Sequence, residues 1–214
     1  MEPTTSLAER ILDAAAEIVI GDGVDALGYG TLAESLGIPR ADVTAAYPVF
    51  ERLLADLLTR ETADLTQIVV DNVDRDPRGG LPSRIFGYAL SAVYEHPLAR
   101  ALYIGDPDGL NRIMRAIDGV TTLPQLSIHP ELLGALQAAG TARHDFDATA
   151  VTAVITVLGS GVSMSAPGQH LDSVASGLIT LLERAVDAEV ADTAAGKAAF
   201  FRYAETLADT GGPR

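Results

Sequence analysis

The 214-residue chain contains no cysteine, so neither a disulfide framework nor a thiolate metal site can be built from it. That suits a reducing compartment, and a cytoplasmic location is expected. A basic patch is also missing. Residues 1–60 hold four basic side chains, Arg10, Arg40, Arg52 and Arg60, against ten acidic ones, and the whole chain carries a formal charge of −14. Such acidity keeps a protein soluble and works against contact with polyanions. No basic segment leading into an apolar run occurs between Met1 and Ser6, so a secretory leader is not expected. The nucleophile elbow G-x-S-x-G, a Walker sequence and a G-x-G-x-x-G following a strand are all absent. The four histidines, His96, His129, His144 and His170, include no i, i+4 pair that could hold zinc. No enzyme activity, metal or other cofactor is therefore expected.

Charge is absent altogether from Ala148 to Leu171, long enough to raise the question of a membrane span. Thr149, Thr152, Thr156, Ser160 and Ser163 place hydroxyls along one helical face there, and Pro167 and Gly168 break the run. No Lys or Arg flanks it to anchor an orientation. The segment is expected to be a helix buried among protein helices, with no membrane association.

What is abundant is apolar residues at helical spacing, 48% of the chain being hydrophobic. Nothing alternates with period two over a useful length, so the fold class is all-α. Ser6 and Glu9 form a capping box ahead of Leu7, Ile11, Ala14, Ala15 and Ile18. Gly21 and Gly23 end that helix. A short helix over 29–36 exits at Gly37, and Pro39 opens a third that Pro48 stops. Phe50 to about Asp74 reads as one long helix, closed by Asp76-Pro77-Arg78-Gly79-Gly80. Further helices are expected near 81–95, 97–105, 108–118, 130–139, 147–165, 171–189 and 193–208. In the last, Phe200, Tyr203, Ala204 and Leu207 make a docking stripe.

The run Leu32-Ala33-Glu34-Ser35-Leu36-Gly37-Ile38-Pro39-Arg40-Ala41-Asp42-Val43 has the pattern of two short helices joined by a glycine turn. That geometry sets a second helix into a DNA major groove. Together with Arg10-Ile11-Leu12-Asp13-Ala14-Ala15, Gly23, Tyr47-Pro48 and Leu53-Leu54, it resembles the TetR/AcrR family of bacterial transcriptional regulators over about residues 7–58. Glu95-His96-Pro97 and the segment Ala139 to Asp147 are similar to that family's body turns. The resemblance implies a three-helix helix-turn-helix head, residues 1–49, and a larger helical ligand-binding and dimerisation body, residues 50–214. It further implies a homodimer that binds operator DNA under control of a small-molecule effector. Thr31, Arg40, Ala41, Thr44 and Tyr47 would face DNA. Val151, Val154, Ile155, Leu158, Val162, Leu178 and Leu182 would form the dimer interface. Phe86, Tyr88, Tyr94, Tyr103, Met114 and Met164 would line an apolar pocket, with Gln125, His129 or His144 as polar anchors.

The DNA-facing positions depart from the family's pattern. Where it usually has Leu-Tyr-x-His-Phe and then a lysine, this chain has Val43, Thr44, Ala46, Tyr47 and Phe50. Gly28 replaces the hydroxyl that commonly caps the second helix, leaving Thr31 to cap a slightly later start. Two readings follow. Either the chain is a repressor that relies on Arg40 and Thr44, or it keeps the shape without DNA binding and acts as a ligand-binding or protein-interaction module.

Overall fold

The computed structural model describes residues 6–117, 129–165 and 171–210; the side chains of residues 116, 159–165, 171–172 and 208–210 lie outside that description. The helices are α1 (Leu7–Asp22), α2 (Tyr29–Leu36), α3 (Arg40–Ala46), α4 (Phe50–Arg75), α5 (Pro82–Glu95) and α6 (Pro97–Arg100). They continue with α7 (Pro107–Ala116), α8 (Pro130–Ala138), α9 (Ala148–Ser165), α10 (Leu171–Ala185) and α11 (Ala194–Thr210). Extended pairing among the described residues is limited to one antiparallel bridge, Ala142 to Asp187. The all-α expectation holds. Among the described residues no helix is long and apolar enough to cross a membrane.

Contacts divide the chain into two compact units, Met1–Thr62 with His96–Leu123, and Ala63–Glu95 with Pro124–Arg214. The first takes in, beyond residue 49, the start of α4 and the segment His96–Leu123. Its core gathers Ile11, Ala15, Leu32, Val43, Leu53, Leu57 and Leu102. The expected capping box starts α1: Glu9 N–H donates to Ser6 Oγ at 3.2 Å, and Ser6 N–H donates to the Glu9 carboxylate at 2.6 Å. Gly23, at φ 83°, takes the chain out of α1 in a conformation that a side chain would resist. After α6 the chain makes a single π turn, Ala101–Gly105, rather than continuing as one α-helix to 105.

The second unit is built on Val73, Phe86, Leu133, Leu136, Ile155, Leu178, Leu182 and Phe200. Within it α10 packs on α5, α9 on α8, and α11 on α8. Phe200 and Ala204 are buried, so the α11 stripe docks as its spacing predicts. Helix α10 stops at Ala185, short of the expected 189. The cause is Asp187, 7% exposed, which turns back to cap the start of α5. It accepts from the Ser83 backbone N–H at 2.9 Å and from the Ser83 hydroxyl, meeting orphan donors of a first helical turn from 104 residues away.

Burial raises the Asp187 carboxyl above its ordinary value, and the two Ser83 hydrogen bonds only partly oppose this. A folded-state value above the unfolded one means that charged Asp187 opposes folding near neutrality. The penalty disappears as pH falls through the raised value. Asp187→Asn is therefore expected to match or exceed the parent in stability at pH 7, with the advantage shrinking toward about pH 4. Asp187→Ala strands both Ser83 donors and should lose about 2 kcal/mol at pH 7. Urea unfolding at the two pH values checks both.

Candidate functional site

In the first unit, α2 ends on Gly37 in the left-handed region, φ 65° and ψ 34°, and Ile38 N–H donates to Ala33 O at 3.1 Å. This turn seats α3 on the core through Val43, which is fully buried. Arg40, Ala41, Asp42, Thr44 and Ala45 are exposed on the rest of α3. Three of the expected DNA-facing residues, Arg40, Ala41 and Thr44, therefore share one outward surface. Thr44 Oγ1 donates to Arg40 O at 3.0 Å, so its hydroxyl is tied to its own helix.

Thr31 and Tyr47 sit differently. Thr31 is the third residue of α2 and does not cap a later start. Its hydroxyl accepts from Gly28 N–H at 3.0 Å and lies 2.8 Å from Ala26 O, so it holds the entry to α2. Tyr47 is buried at 5% exposure. Its carbonyl accepts from the Tyr29 hydroxyl at 2.7 Å. Burial, with Asp56 nearby, raises its phenol above the ordinary value. It positions α3 and offers nothing to the surface. Phe50, in the place of the resemblance's lysine, packs edge-on against Tyr29 with ring centroids 5.2 Å apart.

Of the four cations in residues 1–60, two are engaged. Arg52 pairs with Asp56 at 2.9 Å and Arg60 with Asp13 at 2.7 Å. Arg10 and Arg40 are exposed with no ion pair among the described residues, and Asp42 is exposed two residues from Arg40.

In the second unit, apolar side chains are left in water on two helices. Val154, Val157 and Leu158 on α9 are 58%, 70% and 43% exposed, and Val174 and Leu181 on α10 are 44% and 62% exposed. Ser173, Ser176, Gly177, Thr180, Leu181 and Arg184 line a shallow open face of α10. Of the expected interface residues, Val154 and Leu158 belong to this strip and Val151 is half-buried. Ile155, Leu178 and Leu182 face the core of their own unit instead. The side chain of Val162 lies outside the described residues. Val157, Val174 and Leu181 are strip members that the apolar periodicity did not single out.

No protein-family model and no curated protein matches the chain. Solved structures do. One, named for a tetR family transcription regulator from Shewanella sp. PV-4, superposes with a TM-score of 0.55 at 16% identity, covering 86% of this chain and 100% of that one. Another, described as the molecular basis for control of antibiotic production by bacterial hormones, reaches a TM-score of 0.62 at 18% identity, over 87% of this chain and 100% of that one. The chain has a TetR-type fold. Identity this low carries the architecture, and residue roles must come from the side chains themselves.

The expected pocket residues of this TetR-type chain fall in both units. Phe86, 1% exposed, is core of the second unit. Tyr88 and Tyr94 are half-buried against the same core, and the Tyr88 hydroxyl donates to Asp76 at 2.8 Å. His129 lies with its ring 6.0 Å from that of Tyr203, whose phenol burial pushes up to about 12. Tyr103 and Met114 are partly buried in the first unit. There burial, and then the charge of Glu61, raises the Tyr103 phenol well above its ordinary value. His144 is exposed. Gln125 and the side chain of Met164 lie outside the described residues. His96 proves to be more than a helix-end residue: its Nδ1 is 2.7 Å from the buried carboxylate of Glu61.

Proposed function

We propose that the chain is a homodimeric TetR-type transcriptional regulator, a repressor whose binding to operator DNA is controlled by a small apolar or aromatic ligand. The observation that carries this reading is α3, held by a left-handed glycine turn with Arg40, Ala41 and Thr44 outward. The exposed apolar side chains on α9 and on α10 support pairing of two copies, since large apolar side chains grouped on a helix face mark an interaction site. Half-buried Tyr88, Tyr94 and His129 are the side chains suited to an apolar effector with one polar anchor.

Fluorescence anisotropy with duplexes from the gene's own neighbourhood tests it. The dimer should bind one of them specifically, and the effector should release it. Arg40→Ala should weaken specific binding roughly ten- to hundredfold, the range for one bidentate base contact. Flat anisotropy at low salt from a verified folded dimer overturns the reading.

A second reading, a ligand-binding or protein-interaction module without DNA binding, is favoured by the engaged cations: Arg52 and Arg60 are tied to Asp56 and Asp13. Phosphate contacts supply most non-specific affinity, and this head offers few. Flat anisotropy in the parent, with binding gained when cations are added to α3, is the result this reading expects.

A further inference from the structure

The outward surface of α3 has a particular order. With residues advancing about 100° each around a helix, Ala41 and Ala45 lie opposite buried Val43 and form the centre of the exposed face. Arg40 and Thr44 flank them on one edge and Asp42 on the other. Two methyl groups thus occupy the place nearest to whatever the helix enters, and they let its backbone approach closely. The Thr44 hydroxyl donates to Arg40 O at 3.0 Å, so its proton is engaged; the side chain offers its methyl and, through the oxygen, an acceptor.

Each of these groups has a limited choice of partner on a base edge. In the major groove an arginine fork matches guanine O6 and N7, while alanine and threonine methyls match the C5-methyl of thymine. Asp42 repels phosphate on its edge and can only accept, so it adds no affinity for the backbone. Arg52 and Arg60 are engaged by carboxylates at 2.9 and 2.7 Å, which leaves Arg10 and Arg40 as the cations of residues 1–60 outside ion pairs among the described residues.

We propose that each α3 reads a half-site in which one guanine lies next to thymines, Arg40 taking the guanine and the methyls of Ala41, Thr44 and Ala45 seating on thymine methyls. Recognition by this helix leans on base edges, and its dependence on salt is shallow. The inference rests on the DNA-binding reading above and names the sequence class which that reading leaves open.

Selection of duplexes from a random pool by the full-length dimer tests it. The selected half-sites should converge on guanine with neighbouring thymines. Replacing those thymines with uracil, which removes only the C5-methyl, should weaken binding roughly fourfold per contacted position, as for one buried methylene. Arg40→Ala should abolish the guanine preference and keep the thymine preference. The affinity of the selected duplex should fall with salt at a log–log slope of about −2 to −4, the value for a few phosphates neutralised per dimer. Convergence on sequences without guanine, or equal binding of the uracil duplex, overturns this readout while leaving a DNA-binding regulator in place. No enrichment at all, from protein shown to be folded, overturns both.

Discussion

On the proposed pairing of two copies through α9 and α10, a Val157→Glu, Leu181→Glu double variant is expected to sediment as a monomer at concentrations where the parent sediments as a dimer. In the separate chain these residues are 70% and 62% exposed, so a carboxylate at either place is as well hydrated as any surface glutamate and the protomer fold should not suffer. In a two-fold interface each substitution appears twice on one self-complementary patch. The loss is then of apolar burial on both copies, with like charges brought together. An interface weakened by on the order of 4 kcal/mol, about a thousandfold in dissociation constant, is a conservative figure for removing a valine and a leucine from each side. Circular dichroism should remain that of the parent. Ile155→Glu is the informative contrast: that side chain is 2% exposed in its own core, so the charge should unfold the protomer. A dimeric double variant would place the interface elsewhere.

Gly196→Ala is expected to destabilise the fold by about 3 kcal/mol, at the upper end of what overpacking costs. The start of α11 lies against the loop before α5, and the two backbones approach at a pair of glycines. A Cβ on Gly196 would stand 2.5 Å from Thr141 Oγ1 and 2.8 Å from Thr141 Cγ2, and a Cβ on Gly80 would stand 2.6 Å from Lys197 N. None of these neighbours is the free end of a flexible chain. Thr141 is 1% exposed, and Lys197 N–H donates to Thr193 O at 3.0 Å. Relief would therefore require parting α11 from its seat. Gly134→Ala is the control, because nothing lies within 4 Å of its added Cβ and the residue is inside α8. That change should stabilise by about 0.5–1 kcal/mol through helix propensity alone. Denaturant midpoints for the two alanine variants should move in opposite directions.

Much of the architecture was legible because prolines and glycines mark its joints. Gly37, Pro39 and Pro48 bound the second and third helices to within a residue, and Pro82, Pro97, Pro107 and Pro130 each sit in the first turn of a helix. The outward residues of α3 were legible for a related reason: a seven-residue helix that buries one valine leaves little doubt about its other face.

The faces of α9 and α10 were a harder matter. Val151, Val154, Ile155, Val157 and Leu158 share one broad arc of α9, yet Ile155 and Thr152 are buried while Val157 is exposed, so apolar periodicity alone could not separate the side packed on its own unit from the side left in water. Ile155, Leu178 and Leu182 point to the core because of α5 and α8, helices far away in sequence. Asp187 was out of reach for the same reason, since nothing near it announces a cap on Ser83. Tyr47 illustrates a further limit. An aromatic at the end of a short helix is compatible with either a base contact or a core anchor, and the burial of Tyr47, 5% exposed, distinguishes them.

The ring pair of Tyr29 and Phe50 makes position 50 a poor place for evolution to reintroduce a positive charge. On the DNA-binding reading proposed above, a lysine there would gain a partner on the DNA backbone, but it would lose the ring that lies edge-on to Tyr29, whose hydroxyl donates to Tyr47 O at the end of α3. Any added attraction for phosphate would come with a less firmly held α3. New cations are better accommodated at exposed Glu34 or Ser35, where no interior contact is at stake.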